Sequence, residues 1–591
     1  MKSMNNRITQ LGLALVAATI LTSPVFAQRA DKPKGDRTAQ PGGGTPDRAA
    51  LFRDGNYGMF IHWGLYSHLG GKWKGKTFYG IGEWIKRRMK IPDDEYKAVA
   101  KEFKPTEFDA GEIVRVAKEA GMRWIIITAK HHDGFAMFKS KHPFNIVDAT
   151  PFGRDPMKEL ADACRKAGLG FGFYYSHNQD WTEPGGTGGP RRNPDGTPAS
   201  FEQYFRRKCY PQVKEICTQY GPLSFVWFDT PGRIPKKFVE ELVKLVRETQ
   251  PQAMLCSRVG YGLGDYASLG DMEVPPRNIE GLWETCDTTN DSWSYAWYDQ
   301  NWKDAREILH RLVGTVGRGG TYLLNVGPDG KGRIPPPAKQ YLLEAGQWIK
   351  RHPSVIYAAG PSPWGHALAW GDVTTQNDTL NLVVFDWPHD GRLFLPGLKT
   401  PIESARIVTT AGETPLEWKR HGAWTVFHVP CAKPETPAAV IEIQTKETPQ
   451  VDQTLGVYPN IDSTLLVEFA EVAGAEKKRL RWMEKFGEWK QITQVGRWQD
   501  GGKAVWTVDV AEPGDYMVEL TYKGEGRIVW RVESDKGAVL QNQQNSAAVY
   551  HAYPFGRLVF AKPGKHTLTL SLVEGNREKA SVASMRLRPM E

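Results

Sequence analysis

The chain has 591 residues, 40% apolar and 24% charged. That is globular composition, with apolar side chains for several cores, and it excludes intrinsic disorder for the bulk of the chain. A formal charge of +9 is mild at this size, and no zinc-finger spacing or basic heptad helix accompanies it, so nucleic acid is not an expected partner.

At the N-terminus, Lys2 and Arg7 precede an apolar run over 11–21, and Val25, Phe26 and Ala27 end it. This pattern predicts a signal peptide over 1–27, cleaved after Ala27. The run is shorter than the ~20 residues of a membrane span. The expectation is export, secreted or periplasmic, with no membrane attachment. Residues 28–47 are polar and rich in Gly and Pro, and predict a flexible linker.

From 48 to 352, apolar runs alternate with amphipathic helical stretches. The runs are 58–64, 124–132, 170–176, 223–229, 253–258, 282–286 and 321–327, and the helical stretches are 111–120, 156–167, 201–220, 236–248 and 303–317. Such alternation implies a buried parallel sheet. Seven runs over about 300 residues predict an α/β fold, a (β/α)8-like TIM barrel, with the eighth strand near 266–274. No GxGxxG follows the first run, which disfavours an open doubly wound sheet. Short strands separated by turns then predict a β-sandwich over 353–446. Residues 446–456 read as a linker. A second series over 457–591 predicts an accessory β-sandwich, with Trp506 and Trp530 in its core. Its Trp482, Trp489 and Trp498 suggest carbohydrate binding. The six cysteines carry no CxxC spacing and read as buried thiols, with Cys209 and Cys217 too far apart along one helix to bridge.

In a barrel enzyme the chemistry collects at the C-terminal strand ends. Here those ends carry His62, His131, His132, Tyr174, Trp227, Asp229, Arg258, Glu284 and Asn325. Polar groups among aromatic rings suit a sugar. Neighbouring His131 and His132 should point to opposite strand faces, a poor chelate, and HExxH, GxSxG and a P-loop are absent. No metal or cofactor is expected. A two-carboxylate glycosidase mechanism remains.

The blocks GMFIHWGLYS (58–67), GEW (82–84), TAKHHDGFAMF (128–138), VWFD (226–229), LWETC with SWSY (282–295) and GGTYLLNVGPDGKGRIP (319–335) resemble those of α-L-fucosidases of glycoside hydrolase family 29. The resemblance implies a retaining exo-hydrolase that releases terminal α-L-fucose through a covalent fucosyl-aspartate. Asp229 matches its nucleophile. His62, Glu83, Trp84, His131, His132, Tyr174, Trp227, Arg258 and Trp293 are the expected fucose contacts. The acid/base glutamate of a TPE-like segment is missing around 274–276, which leaves Glu284 in the WE block, with Glu273 in reserve. The expected partner is a fucosylated oligosaccharide or polysaccharide. The basic run 86–90 and Arg191-Arg192 could contact an anionic one. A catalytically silent glycan-binding barrel and an α-L-galactosidase are the alternative readings. The tail after 446 is expected to be dispensable for small substrates.

Overall fold

The computed structural model describes residues 47–485 and 488–590. The expected signal peptide and the linker up to residue 46 lie outside the described residues. Eight parallel strands build the first sheet: β1 (Tyr57–Ile61), β2 (Trp124–Lys130), β3 (Gly170–Ser176), β4 (Phe225–Asp229), β5 (Met254–Leu255), β6 (Ala267–Ser268), β7 (Trp283–Thr288) and β8 (Thr321–Val326). They pair in the order β5-β4-β3-β2-β1-β8-β7-β6. A single parallel bridge between Cys256 and Tyr266 joins the two end strands, and the sheet curls into a TIM-like barrel. The eighth strand expected near 266–274 is the two-residue β6.

Local sequence explains the helices that wrap the sheet. Helix α1 (Ala110–Glu119) starts where Asp109 accepts a hydrogen bond from the Glu112 N–H. Helix α2 (Pro156–Ala167) has Asp155 as its cap, proline at its first position and Gly168 in the left-handed region at its end, each favoured there. The stretch 201–220 is one continuous helical run interrupted by a π-turn over Phe205–Cys209, which delays helix α3 to Tyr210–Gln219. Helices α4 (Lys236–Thr249), α5 (Ala305–Gly317) and α6 (Pro336–Arg351) complete the layer. Alternate strand residues part into two cores. Met59, Ile61, Ile125 and Ile127 pack against the helices. Phe60, Tyr174, Phe225, Trp227 and Leu323 fill the barrel interior.

Beyond the barrel, a five-stranded and a three-stranded antiparallel sheet enclose Trp364, Trp370, Leu382, Phe394, Trp424 and Ile441. Two further sheets, antiparallel except where 455–457 runs parallel to 508–510, enclose Trp498, Trp506, Trp530, Leu568 and Leu570. Trp498 is therefore core, not surface. The connection over 446–456 is no free linker. Lys399 N donates to Gln450 O at 2.8 Å and Asp452 N to Gly397 O at 2.8 Å, and Tyr458 and Ala511 join the first sandwich's core. Unforeseen in the sequence is a hairpin of two long strands, β9 (Glu476–Lys485) and β10 (Glu488–Gly496). It belongs to the second sandwich, and it reaches the barrel.

Candidate active site

Asp229 ends β4, and Thr230 follows it with φ of +45°, a conformation rare for a β-branched residue. The turn leaves the carboxylate at the mouth of the barrel, with 8% of the residue exposed. Three groups converge on it. Tyr174 OH donates to Asp229 Oδ2 at 2.9 Å, Arg258 Nη1 donates to Oδ1 at 3.3 Å, and His132 Nε2 lies 3.6 Å from Oδ2. Burial and the neighbouring Asp229 charge push the Tyr174 phenol well above its ordinary range, so it stays a donor.

Arg258 stands in the short turn after β5, over the Trp227 ring at 4.8 Å. Its Nη2 donates to Leu269 O and to Asp271 Oδ1, both at 2.8 Å. One guanidinium therefore holds two carboxylates, Asp229 and Asp271. Burial alone would raise the Asp271 carboxyl, but Arg258 and Arg481 outweigh it and hold it below its ordinary value.

The imidazoles form a wall. His131 stacks on Tyr174 at 5.4 Å and lies 5.6 Å from His62 and 4.1 Å from His132. Both neighbouring histidines face the mouth because they follow the end of β2, where strand alternation no longer applies, contrary to the expectation of opposite faces. Burial lowers His62 to about 4 and His132 to about 3, and burial with its two imidazole neighbours carries His131 far down as well. The wall is neutral. His131 Nδ1 is buried and finds no hydrogen-bond partner among the described residues.

Trp293 lies 5.2 Å from His62, and Trp84 lies 5.6 Å from His132 and 5.0 Å from Trp181. Glu83 is buried, accepts from Ser294 N at 3.1 Å, and is raised to about 7 by burial. It thereby ties the GEW turn to the Trp293 loop. In the basic run, Lys86 is buried against Asp93 at 2.6 Å, whereas Arg88 lies over Trp84 at 5.4 Å and Arg87 over Trp181 at 5.9 Å. Arg192, from the second expected cationic contact, donates to Gly196 O at 2.6 Å.

Two expected residues stand elsewhere. Glu284 is the second residue of β7, 1% exposed. Cys286, two residues nearer the mouth on the same face, already lies 3.2 Å from Arg258 Nη2. Glu284 therefore sits about 7 Å deeper along the strand. Glu273 turns away to the β9 hairpin, where Arg479 Nη2 donates to its Oε1 at 2.7 Å. Sequence reasoning missed Asp271 and Trp181, which lie in loops and end no apolar run.

A family model described as alpha-L-fucosidase matches residues 44–354, just over half of the chain. The crystal structure of an alpha-L-fucosidase from Vibrio sp. strain EJY3 superposes with a TM-score of 0.74 at 30% identity, covering 91% of this chain and 97% of that one. Alpha-L-fucosidase isoenzyme 1 from Paenibacillus thiaminolyticus gives 0.61 at 31% identity, covering 68% of this chain and 99% of that one. The tissue alpha-L-fucosidase of Rattus norvegicus is 28% identical over 409 residues, 63% of this chain and 86% of that protein. The chain belongs to the α-L-fucosidase family of glycoside hydrolases.

Proposed function

We propose that this fucosidase is an exo-acting, retaining enzyme that works through a covalent fucosyl-aspartate on Asp229. The observation that carries the reading is the shared guanidinium: Arg258 binds Asp229 through Nη1 and Asp271 through Nη2. This holds two carboxylates close to each other, as a double-displacement mechanism requires of the pair that flanks the scissile bond about 5–5.5 Å apart. Asp229 attacks the anomeric carbon while Asp271 gives its proton to the departing oxygen. Asp271 then takes a proton from a water whose oxygen attacks the anomeric carbon and breaks its bond to Asp229, which releases fucose with its configuration kept.

Asp271 fits the acid/base role better than Glu284. A leaving-group acid must meet an oxygen that bears a bulky sugar outside the pocket. The Asp271 side chain is 21% exposed, whereas Glu284 lies beneath Trp227 in the barrel interior. Held below its ordinary value by Arg258 and Arg481, Asp271 suits the base of the second step, and it takes up a proton from solvent before it serves as the acid of the first. The neutral imidazoles of His62, His131 and His132 suit sugar hydroxyls, and Trp293 and Trp84 suit the ring's apolar edges. Arg87 and Arg88, beside Trp181 and Trp84, support acceptance of an anionic substituent on the glycan. The sequence over 1–27 supports export to the periplasm or beyond.

The test compares Asp229→Ala, Asp271→Ala and Glu284→Ala on fucosides with poor and good leaving groups. Asp229→Ala should abolish turnover and regain it with azide, with inverted product. Asp271→Ala should lose roughly 10²–10⁴-fold on sugar leaving groups and far less on an activated aryl fucoside. If Glu284→Ala shows that split and Asp271→Ala does not, the acid is Glu284.

A further inference from the structure

The β9–β10 hairpin has two faces with different partners. Side chains alternate along a strand, so Arg479, Arg481 and Met483 share one face of β9. The pairing register sets Thr493, Gln491 and Trp489 opposite them on β10. This face is turned to the barrel. Arg479 binds Glu273 at 2.7 Å, Gln491 Nε2 donates to Asp271 O at 2.9 Å, and Arg481 Nη2 lies 3.5 Å from Asp271 Oδ2. The other face stays with its own sandwich, where Trp482 stacks on Tyr550 at 6.3 Å.

Beyond the Arg481–Gln491 pair, the barrel-facing row continues with Met483 and Trp489. Met483 is 38% exposed and Trp489 is half-buried, whereas Trp498, Trp506 and Trp530 of the same sandwich are buried. The Arg481 guanidinium lies 4.1 Å from the centre of the Trp489 ring. Each two-residue step along a strand covers about 7 Å, about the breadth of a sugar ring. A tryptophan with an open methionine beside it thus stands one sugar's breadth beyond Asp271, and Asp271 shares Arg258 with Asp229.

We propose that this hairpin supplies the leaving-group subsite of the enzyme, binding the sugar to which fucose is attached. That sugar packs the C–H face of its ring on Trp489, and Arg481 donates to its hydroxyls. The second sandwich thereby completes the catalytic pocket of its own chain, as opposed to binding glycan at a distance from it. The inference rests on Asp229 marking the fucose end of the pocket.

The test uses full-length enzyme with two substrates, α-L-fucosyl fluoride, whose leaving group occupies no sugar subsite, and an α-L-fucosyl disaccharide. Trp489→Ala should lower kcat/KM on the disaccharide roughly five- to tenfold, mainly through KM, as expected for a lost ring contact. Fluoride hydrolysis and competitive inhibition by L-fucose should move less than about twofold. Trp489→Phe keeps a ring and should recover most of the loss. Trp482→Ala, on the far face, should not distinguish the two substrates. Equal losses on fluoride and disaccharide, or no loss on the disaccharide, would overturn the proposal. Full fluoride hydrolysis by Asp229→Ala would instead overturn the reading on which it rests.

Discussion

The Trp227 indole nitrogen donates to Glu284 Oε1 at 2.6 Å. This contact fastens a carboxyl inside the barrel, one level beneath the reacting groups, and burial raises it to about 7. A raised carboxyl pKa is the electrostatic signature of a glycosidase acid, but here it accompanies the wrong depth. Position and pKa disagree, and position decides, because a group that cannot touch the leaving oxygen cannot protonate it.

That burial has a measurable cost. The Glu284 value in the folded chain lies above the ordinary 4.5, so the folded state binds the proton more tightly than the unfolded one. Its stabilising contribution is complete below pH 4.5 and is lost as pH rises through 7. Glu284→Gln, which keeps the acceptor for Trp227, should gain roughly 3 kcal/mol relative to wild type between pH 4.5 and 8. Denaturant unfolding of both proteins at the two pH values checks this. A pH-independent difference between them would show that Glu284 does not titrate in that window.

Tyr174→Phe removes one donor to Asp229 and leaves the stack on His131 and Trp227 in place. Hydrogen bonds to charged groups contribute about 1.5–3 kcal/mol. A fall in kcat/KM of roughly 10–100-fold is expected, with an unchanged melting temperature. Activity within about twofold of wild type would mean that Arg258 and His132 suffice to hold the nucleophile.

Asn325 sets the tautomer of His62. Its Nδ2 donates to Trp293 O at 2.6 Å and to Thr288 Oγ1 at 2.9 Å, so its Oδ1, 2.8 Å from His62 Nδ1, acts as acceptor. His62 Nδ1 then carries the proton and Nε2 is left as an acceptor for a sugar hydroxyl. Asn325→Ala should weaken inhibition by L-fucose roughly tenfold through this lost orientation. An unchanged inhibition constant would take His62 out of fucose binding.

Truncation after residue 446 should give an insoluble or unstable protein, against the sequence-based expectation of a dispensable tail. Trp424 Nε1 donates to Asp509 Oδ1 at 2.8 Å in a buried contact, and Tyr458 fills the first sandwich's core. In the full chain, Asp509→Ala orphans the Trp424 donor and should cost about 1–3 kcal/mol, read as a lower melting temperature. A soluble truncated enzyme with full activity on an aryl fucoside would show that the sandwiches are energetically independent.

The long barrel strands were legible because both of their faces are buried, which writes them as unbroken apolar runs ending in His62, Lys130, Ser176 or Asp229. The two-residue β6 carries no such run, and Asp271, three residues past it, was therefore invisible as a site residue. The β9–β10 hairpin was missed for another reason. Its barrel-facing side binds through Arg479, Arg481 and Gln491, and its charge pattern conceals the period of two by which strands are recognised. Glu284 reads as a strand end in the sequence because it is a polar residue in an apolar strand, while the structure carries that strand four residues further, to Thr288.

Gln491 and the Asp271 carbonyl it clasps are 220 residues apart in the chain. At about 5–20 residues per second of synthesis, the ribosome delivers the clasp on the order of 10–40 s after the loop it holds. A nascent barrel thus carries Asp271 and Glu273 through that interval without Arg481 and Arg479, their partners on the hairpin. A stalled or clipped chain would present this acidic loop to whatever basic surface it met first.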